Sequence, residues 1–229
     1  DGTEVLFAIE GVGEQTSPVQ SGKAVTVFHI ENVHLWDGVA DPYLYSIAAS
    51  LPGGDAVAVH FGCRKIDFKP DTGFWLNGRN VRLVGAARHQ DRAGLGNALT
   101  AAEHEEDMQL LRDMGANTVR LAHYQHAQYF YNLCDKYGLV AWAEIPYITE
   151  HMPEATANTL SQMEELVLQN YNHPSIICWG LSNEITVTTG VTENLTANHR
   201  LLNDLCHRLD ATRPTTMAHA FMLDPNDPF

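Results

Sequence analysis

The stretch Ser175–Ile185 reads SIICWGLSNEI. A run of strand length, Ile176 to Leu181, is apolar without a period of two. Such a strand is covered on both faces, as in a parallel sheet packed between other layers. The run then stops on an amide and a carboxylate, Asn183 and Glu184. A carboxylate there is costly to desolvate unless it has a purpose. Glu184 is therefore the first candidate for function.

The same grammar continues on both sides. Upstream, "VRLVG" (Val81–Gly85) reads as a strand, and Thr100 with Glu103 forms a capping-box pattern that opens a helix through about Met114. "ANTVRLAH" (Ala116–His123) is a strand, and "AQYFYNLCDKYG" is a helix ending at Gly138. "LVAWAEIP" (Leu139–Pro146) is a strand and "NTLSQMEELVLQNY" (Asn158–Tyr171) a helix. Downstream, the segment Thr192–Ala211 is a helix and "PTTMAHA" (Pro214–Ala220) a fifth strand. Alternating strands and helices predict parallel strands, in a (β/α)8 barrel or a doubly wound sheet. No G-x-G-x-x-G follows the first strand, which weighs against dinucleotide binding and an oxidoreductase.

The first third of the chain reads as β. Four partly alternating runs, Glu4–Gly11, Ala24–Glu31, Leu44–Leu51 and Ala56–Ile66, are punctuated by Gly, Pro and Asp. They predict part of an immunoglobulin-like sandwich. Within Gly73–Ala86, Asn77-Gly78 between two apolar runs is a hairpin signal. The expected division is an incomplete sandwich over residues 1–68 and an α/β barrel domain over residues 69–229.

The chain of 229 residues carries 14 basic and 28 acidic residues, a formal charge of −14, with no block of Lys and Arg. That argues against nucleic acid or an anionic membrane as partner. No apolar run reaches the length of a membrane-spanning helix. No leader opens the chain, so a cytoplasmic location is the expectation, with export left open. Cys63, Cys134, Cys178 and Cys206 form no C-x-x-C pair and are expected to be reduced and mostly buried. No H-E-x-x-H spacing occurs, and neither metal nor other cofactor is assigned.

In parallel α/β folds, function collects where strands end. The first strand ends in Arg88, His89 and Asp91, and the second in Arg120, His123 and Tyr124. The third ends in Glu144, the fourth in Asn183 and Glu184, and the fifth in His219. Each has a plainer reading: a loop cap, a packed histidine, or an Arg120–Glu144 ion pair in the core. His104, in an acidic helix start, is expected to be solvated.

Four stretches together, "RLVGAARHQD", "GANTVRLAHYQH", "CDKYGLVAWAEIPYI" and "NHPSIICWGLSNE", resemble glycoside hydrolase family 2, most closely its bacterial β-galactosidases. "LWDGVADPYLY" is similar to the part of that family's immunoglobulin-like domain leading into the barrel. The resemblance implies a (β/α)8 TIM barrel and retaining hydrolysis of terminal β-D-galactosides by two carboxylates. On this reading Glu184 is the acid/base residue, and Asn183 binds the sugar 2-hydroxyl. His89, Arg120, His123 and His219 contact the sugar or orient the catalytic groups, and Glu144 supports them. A carbohydrate is the partner, and self-association through an open sheet edge is expected. β-Glucuronidase, β-mannosidase and a non-catalytic carbohydrate-binding scaffold are the alternatives. Ser182 stands where many members carry Gly or Ala.

The resemblance also implies a second carboxylate at the end of a seventh strand. Only five strands are visible, and Asp224 and Asp227 do not match the nucleophile motif. The chain is thus expected to be an internal piece of a longer enzyme. The family's magnesium site does not carry over, because the third-strand end reads EIPYITEH.

Overall fold

The computed structural model describes residues 3–220. Its centre is a sheet of five parallel strands: β8 (Gly85–Arg88), β9 (Thr118–Leu121), β10 (Val140–Glu144), β11 (Ile176–Asn183) and β12 (Thr215–Ala218). Their spatial order follows their chain order without a reversal. A doubly wound sheet reverses at a switch point. Uniform right-handed crossovers with no reversal put every helix on one face and curl the sheet into a barrel wall. The five strands are that part of a (β/α)8 barrel.

The helices lie between successive strands: α1 (Ala101–Asp113), α2 (Gln128–Tyr137), α3 (Thr156–Asn170), and after β11 a short turn α4 (Thr186–Thr189) followed by α5 (Glu193–Leu209). The Thr100–Glu103 capping box forms as the sequence predicts. Gly138 ends α2 in the left-handed conformation. A Cβ there would lie 2.2 Å from the Gly38 carbonyl, so glycine is also needed for close packing. Inner faces of the helices and outer faces of the strands share one core, including Phe130, Leu166, Trp179 and Leu202.

The first third forms two antiparallel sheets. One has the order β2-β1-β3-β4, from β1 (Glu4–Ile9), β2 (Gly13–Pro18), β3 (Tyr45–Ser50) and β4 (Ala56–Phe61). The other joins β5 (Ile66–Lys69), β6 (Gly73–Leu76) and β7 (Arg79–Asn80). The expected strand at Ala24–Glu31 is not formed. The backbone there runs extended outside any sheet with Val25 and Val27 exposed, and β1 pairs instead with Gly13–Pro18. Apolar alternation cannot distinguish a paired strand from an extended edge segment, whereas the Gly11–Gly13 reversal, both glycines at positive φ, selects the nearer partner. Asn77 and Gly78 both take positive φ, the hairpin geometry that Asn-Gly favours. The expected division at 68/69 falls inside β5.

Trp36, fully buried, joins these sheets to the barrel. It packs with Phe74 and Leu76 against Val140 and Ile177 near the starts of β10 and β11, and its Nε1–H donates to the Asp135 carbonyl at 2.9 Å. Arg64 donates to the Pro174 and Ile176 carbonyls, and Arg213 holds Asp210 at 2.6 Å and three carbonyls nearby. The strand starts are thus tied down, leaving the opposite ends for chemistry. The four cysteines are unpaired, with Cys63 half-buried and the others buried. No helix among the described residues is long and apolar enough to cross a membrane.

His104 corrects the sequence reading. It is 3 % exposed, because its Nδ1 accepts from Arg88 Nη2 at 2.9 Å. Arg88 points out of the barrel wall to α1, and also meets Asp107 at 2.7 Å and His126 Nδ1 at 3.0 Å. His126 Nε2–H donates to the Ala122 carbonyl at 3.1 Å, so Nδ1 is the acceptor and the ring is neutral. Burial holds the His126 pKa down, to about 3.

Two outcomes test this account. The folded His126 pKa lies below the ordinary value of 6.5, so the unfolded chain binds the extra proton between the two. Its contribution to stability is complete above pH ~6.5 and is lost as pH falls toward 3. Melting temperature should drop on acidification through this window, less steeply in His126→Gln. Trp36→Ala should cost about 3–5 kcal/mol in chemical denaturation.

Candidate functional site

Strand alternation decides what faces the barrel interior. β9 and β10 pair in register through Trp142↔Arg120 and Ala143↔Leu121, and β10 meets β11 through Trp142↔Cys178 and Glu144↔Gly180. Arg120, Trp142, Glu144 and Gly180 therefore share the inner face, while Leu121, Ala143 and Trp179 join the core outside. Gly180 is required there. A Cβ would sit 2.5 Å from both Glu144 Cγ and Trp142 Nε1.

Arg120 and Glu144 form a two-pronged ion pair. Nε of Arg120 donates to one carboxylate oxygen and Nη2 to the other at 3.1 Å. Glu144 has no exposed surface. Burial pushes its carboxyl pKa up, and the Arg120 hydrogen bonds oppose that rise. Arg120 Nη2 also donates to Asn183 Oδ1 at 2.6 Å and meets His123 Nδ1 at 3.1 Å. A guanidinium has no acceptor, so its partner atom on Asn183 must be the oxygen. The Asn183 Nδ2 donor is then turned to whatever lies beyond. His123 Nδ1 faces Arg120 as a lone pair, and burial and Arg120 lower its pKa while nearby Glu184 opposes the change.

Asn183 and Glu184 occupy the end of β11. Asn183 donates its N–H to the Tyr147 carbonyl at 2.9 Å and accepts from Thr149 N–H at 3.0 Å. Glu184 donates to the Ala218 carbonyl at 2.8 Å and takes φ of 46°, a left-handed conformation unusual for a side-chain-bearing residue. Its side chain is exposed at the open end of the strands.

The predicted residues converge in part. Arg120, His123, Glu144 and Asn183 form one hydrogen-bonded group, with Glu184 adjoining it. The exposed His89 ring meets His123 edge-on at 4.9 Å, and Gln90 and Tyr124 tie their two loops together. His219 follows β12 half-buried, apart from that group. Asp224 and Asp227 lie outside the described residues. Arg88 and Asp91 do not join the cluster; Arg88 serves the strand–helix layer instead.

Residues to which the sequence reading gave no role stand close behind. The register shifts between Gly180 and Asn183, which breaks the alternation there, and the Ser182 hydroxyl turns to α5, where it meets His199 at 2.7 Å. Tyr147 OH meets His151 Nδ1 at 2.5 Å. A signal was present: Asn198 and His199 sit in the stripe Leu195, Leu202, Leu205, Cys206 that α5 buries, where apolar residues are the norm. Among the described residues no group of three or more His, Cys, Asp or Glu could hold a metal ion.

The arrangement offers an exposed carboxylate beside a fixed amide, over an internally neutralised ion pair. The family "Glycosyl hydrolases family 2, TIM barrel domain" matches residues 69–225. A β-glucuronidase of Bacteroides fragilis is 44 % identical over 202 residues, covering 82 % of this chain and 29 % of that protein. A β-galactosidase of Thermoanaerobacterium thermosulfurigenes is 36 % identical over 225 residues, covering 94 % of this chain and again 29 % of the relative. Among solved structures, the FMN-binding β-glucuronidase from Facaelibacterium prausnitzii L2-6 superposes with a TM-score of 0.89 at 40 % identity, covering 96 % of this chain and 35 % of that one. A putative β-galactosidase from Bacteroides fragilis gives 0.86 at 37 %, covering 95 % and 34 %. The chain thus spans under a third of the curated relatives' length. Barrel wall, strand-end carboxylate and these likenesses agree: the chain belongs to glycosyl hydrolase family 2.

Proposed function

We propose that this chain supplies the acid/base half of the active site of a retaining β-glycosidase. The observation that carries the reading is the Asn183–Glu184 pair ending β11, with Asn183 held by Arg120 at 2.6 Å. A glycosidic oxygen leaves poorly unless protonated, and a positioned glutamic acid can supply the proton. Glu184 is that donor, and afterwards the base that activates water. Asn183, its oxygen taken by Arg120, offers Nδ2–H to the sugar 2-hydroxyl, a contact that strengthens as the oxocarbenium character develops. His89, His123 and His219 line the sugar's approach, and Glu144 supports by fixing Arg120. Residues 69–229 form the catalytic portion and residues 1–68 a sandwich-type support.

Retention needs a second carboxylate about 5–5.5 Å from the first. Glu144 is a poor nucleophile, since both its oxygens accept from Arg120. The nucleophile is therefore assigned to sequence beyond this chain, in keeping with relatives more than three times as long.

Two glycones are in play. Arg120 is neutralised by Glu144 and Arg88 by Asp107, so neither arginine at these strand ends has charge to spare for a sugar carboxylate. That favours a neutral β-D-galactoside. The second reading, a β-D-glucuronide, is favoured by the 44 % identity to a β-glucuronidase. It requires a cation from elsewhere in the protein.

The chain alone should turn over chromogenic β-galactosides and β-glucuronides barely above background; full turnover would refute the nucleophile assignment. In a longer active polypeptide containing this chain, Glu184→Gln should lower kcat on alkyl glycosides by roughly 10²–10⁴-fold. Dinitrophenyl glycosides, whose leaving group needs no proton, should form the glycosyl intermediate nearly as before. Equal loss in the rate of forming the glycosyl intermediate on both substrates would count against Glu184 as the acid.

A further inference from the structure

Behind the Asn183–Glu184 turn lies a buried polar contact that the proposed chemistry does not use. His199 of α5 donates from Nδ1 to the Leu195 carbonyl at 3.1 Å. Its Nε2 is then the bare acceptor, and it receives the Ser182 hydroxyl at 2.7 Å. Ser182 is fully buried and His199 is 9 % exposed. Burial lowers the His199 pKa, which keeps the ring in the neutral form this bond requires.

The same imidazole reaches a second strand end. Its ring lies 5.4 Å from the ring of Tyr147, just past β10. The Tyr147 carbonyl accepts the Asn183 N–H at 2.9 Å, and the Tyr147 hydroxyl is held by His151 and Asn198. One helix side chain thus touches both segments that pinch the turn. Beyond the pinch, Glu184 adopts its left-handed φ of 46°. A non-glycine residue stays in that region only when its surroundings over-determine it.

We propose that His199 and Ser182 are positioning residues for Glu184, acting through the ends of β10 and β11 to hold the Asn183–Glu184 turn. They do not touch the sugar. This rests on Glu184 being the proton donor. It also gives the Ser182 hydroxyl a task that Gly or Ala at that place could not perform. A hydrogen bond serving stability alone would leave the proton-transfer step untouched, and that difference is measurable.

The test uses a hydrolytically active polypeptide containing this chain. Ser182→Ala removes one oxygen and leaves the packing in place. It should lower kcat on alkyl glycosides about tenfold or more, as small displacements of a reacting group do. The pre-steady-state release of dinitrophenolate, which reports formation of the glycosyl intermediate and needs no proton, should change less than about twofold. His199→Gln, which keeps an acceptor for the hydroxyl, should retain more alkyl-glycoside activity than His199→Phe. In the 229-residue chain itself, the backbone amide resonances of Asn183 and Glu184 should move in His199→Phe, a change seventeen residues away from Ser182 in sequence. A lowered melting temperature with an unaltered ratio of alkyl turnover to dinitrophenolate release rate, or unmoved amide resonances, overturns the positioning role. If Glu184→Gln spares alkyl glycosides, the acid/base reading fails and this one with it. If Glu184→Gln is selective and Ser182→Ala is not, only the positioning role falls.

Discussion

The Arg120–Glu144 pair is the constraint on which the strand ends depend. It bridges β9 and β10 on the inner face of the barrel wall, and through Asn183 it reaches β11. A carboxylate with no exposed surface is costly to bury, and only a partner with matched geometry makes it tolerable. The planar guanidinium provides that match, with two donors for the carboxylate and further capacity for Asn183 and His123. A lysine could carry the charge but not the fork. Gly180 belongs to the same constraint, since any larger residue would push into Glu144 and Trp142.

Outside the wall a second arginine works in the same manner. Arg88 holds Asp107, His104 and His126, locking α1 to the first two strands, and its guanidinium stacks over Phe130 at 3.9 Å. Arg120 inside and Arg88 outside are both neutralised by an acidic partner. The fold therefore spends neither cation on its open end. The exposed polar groups there, Glu184 and His89, are unencumbered by comparison.

The barrel was legible because helices and parallel strands alternate in the chain, and each carries its own local signal. The Thr100 capping box, the Gly138 terminator and the unbroken apolar run of β11 are written in single short stretches. The candidate site was legible for a related reason: strand ends can be located from sequence, and Arg120, Glu144 and Asn183 stand at three of them. The failures have a common cause in pairing that no local signal encodes. Val25 and Val27 alternate as a strand would, yet join no sheet. His104 looked solvated among acidic residues, and only Arg88, sixteen positions away, explains its burial. His199 lies seventeen residues from Ser182, a distance at which nothing in composition links them.

The distribution of charge in this half of the site sets what an anionic sugar would have to find elsewhere. An anionic sugar must find an uncompensated cation in a water-poor pocket, because desolvating a carboxylate without one is prohibitive. The two arginines at these strand ends are already neutralised. The glycone contacts proposed for this chain, an asparagine amide and imidazole rings, suit hydroxyl groups common to galactosides and glucuronides alike. This portion would then perform the step both reactions share, protonation of the leaving oxygen and recognition of the 2-hydroxyl. Discrimination between the two sugars would then reside in sequence outside this chain, which spans 29 % of each of these relatives. Such a division accounts for the close similarity of one chain to enzymes named for different sugars.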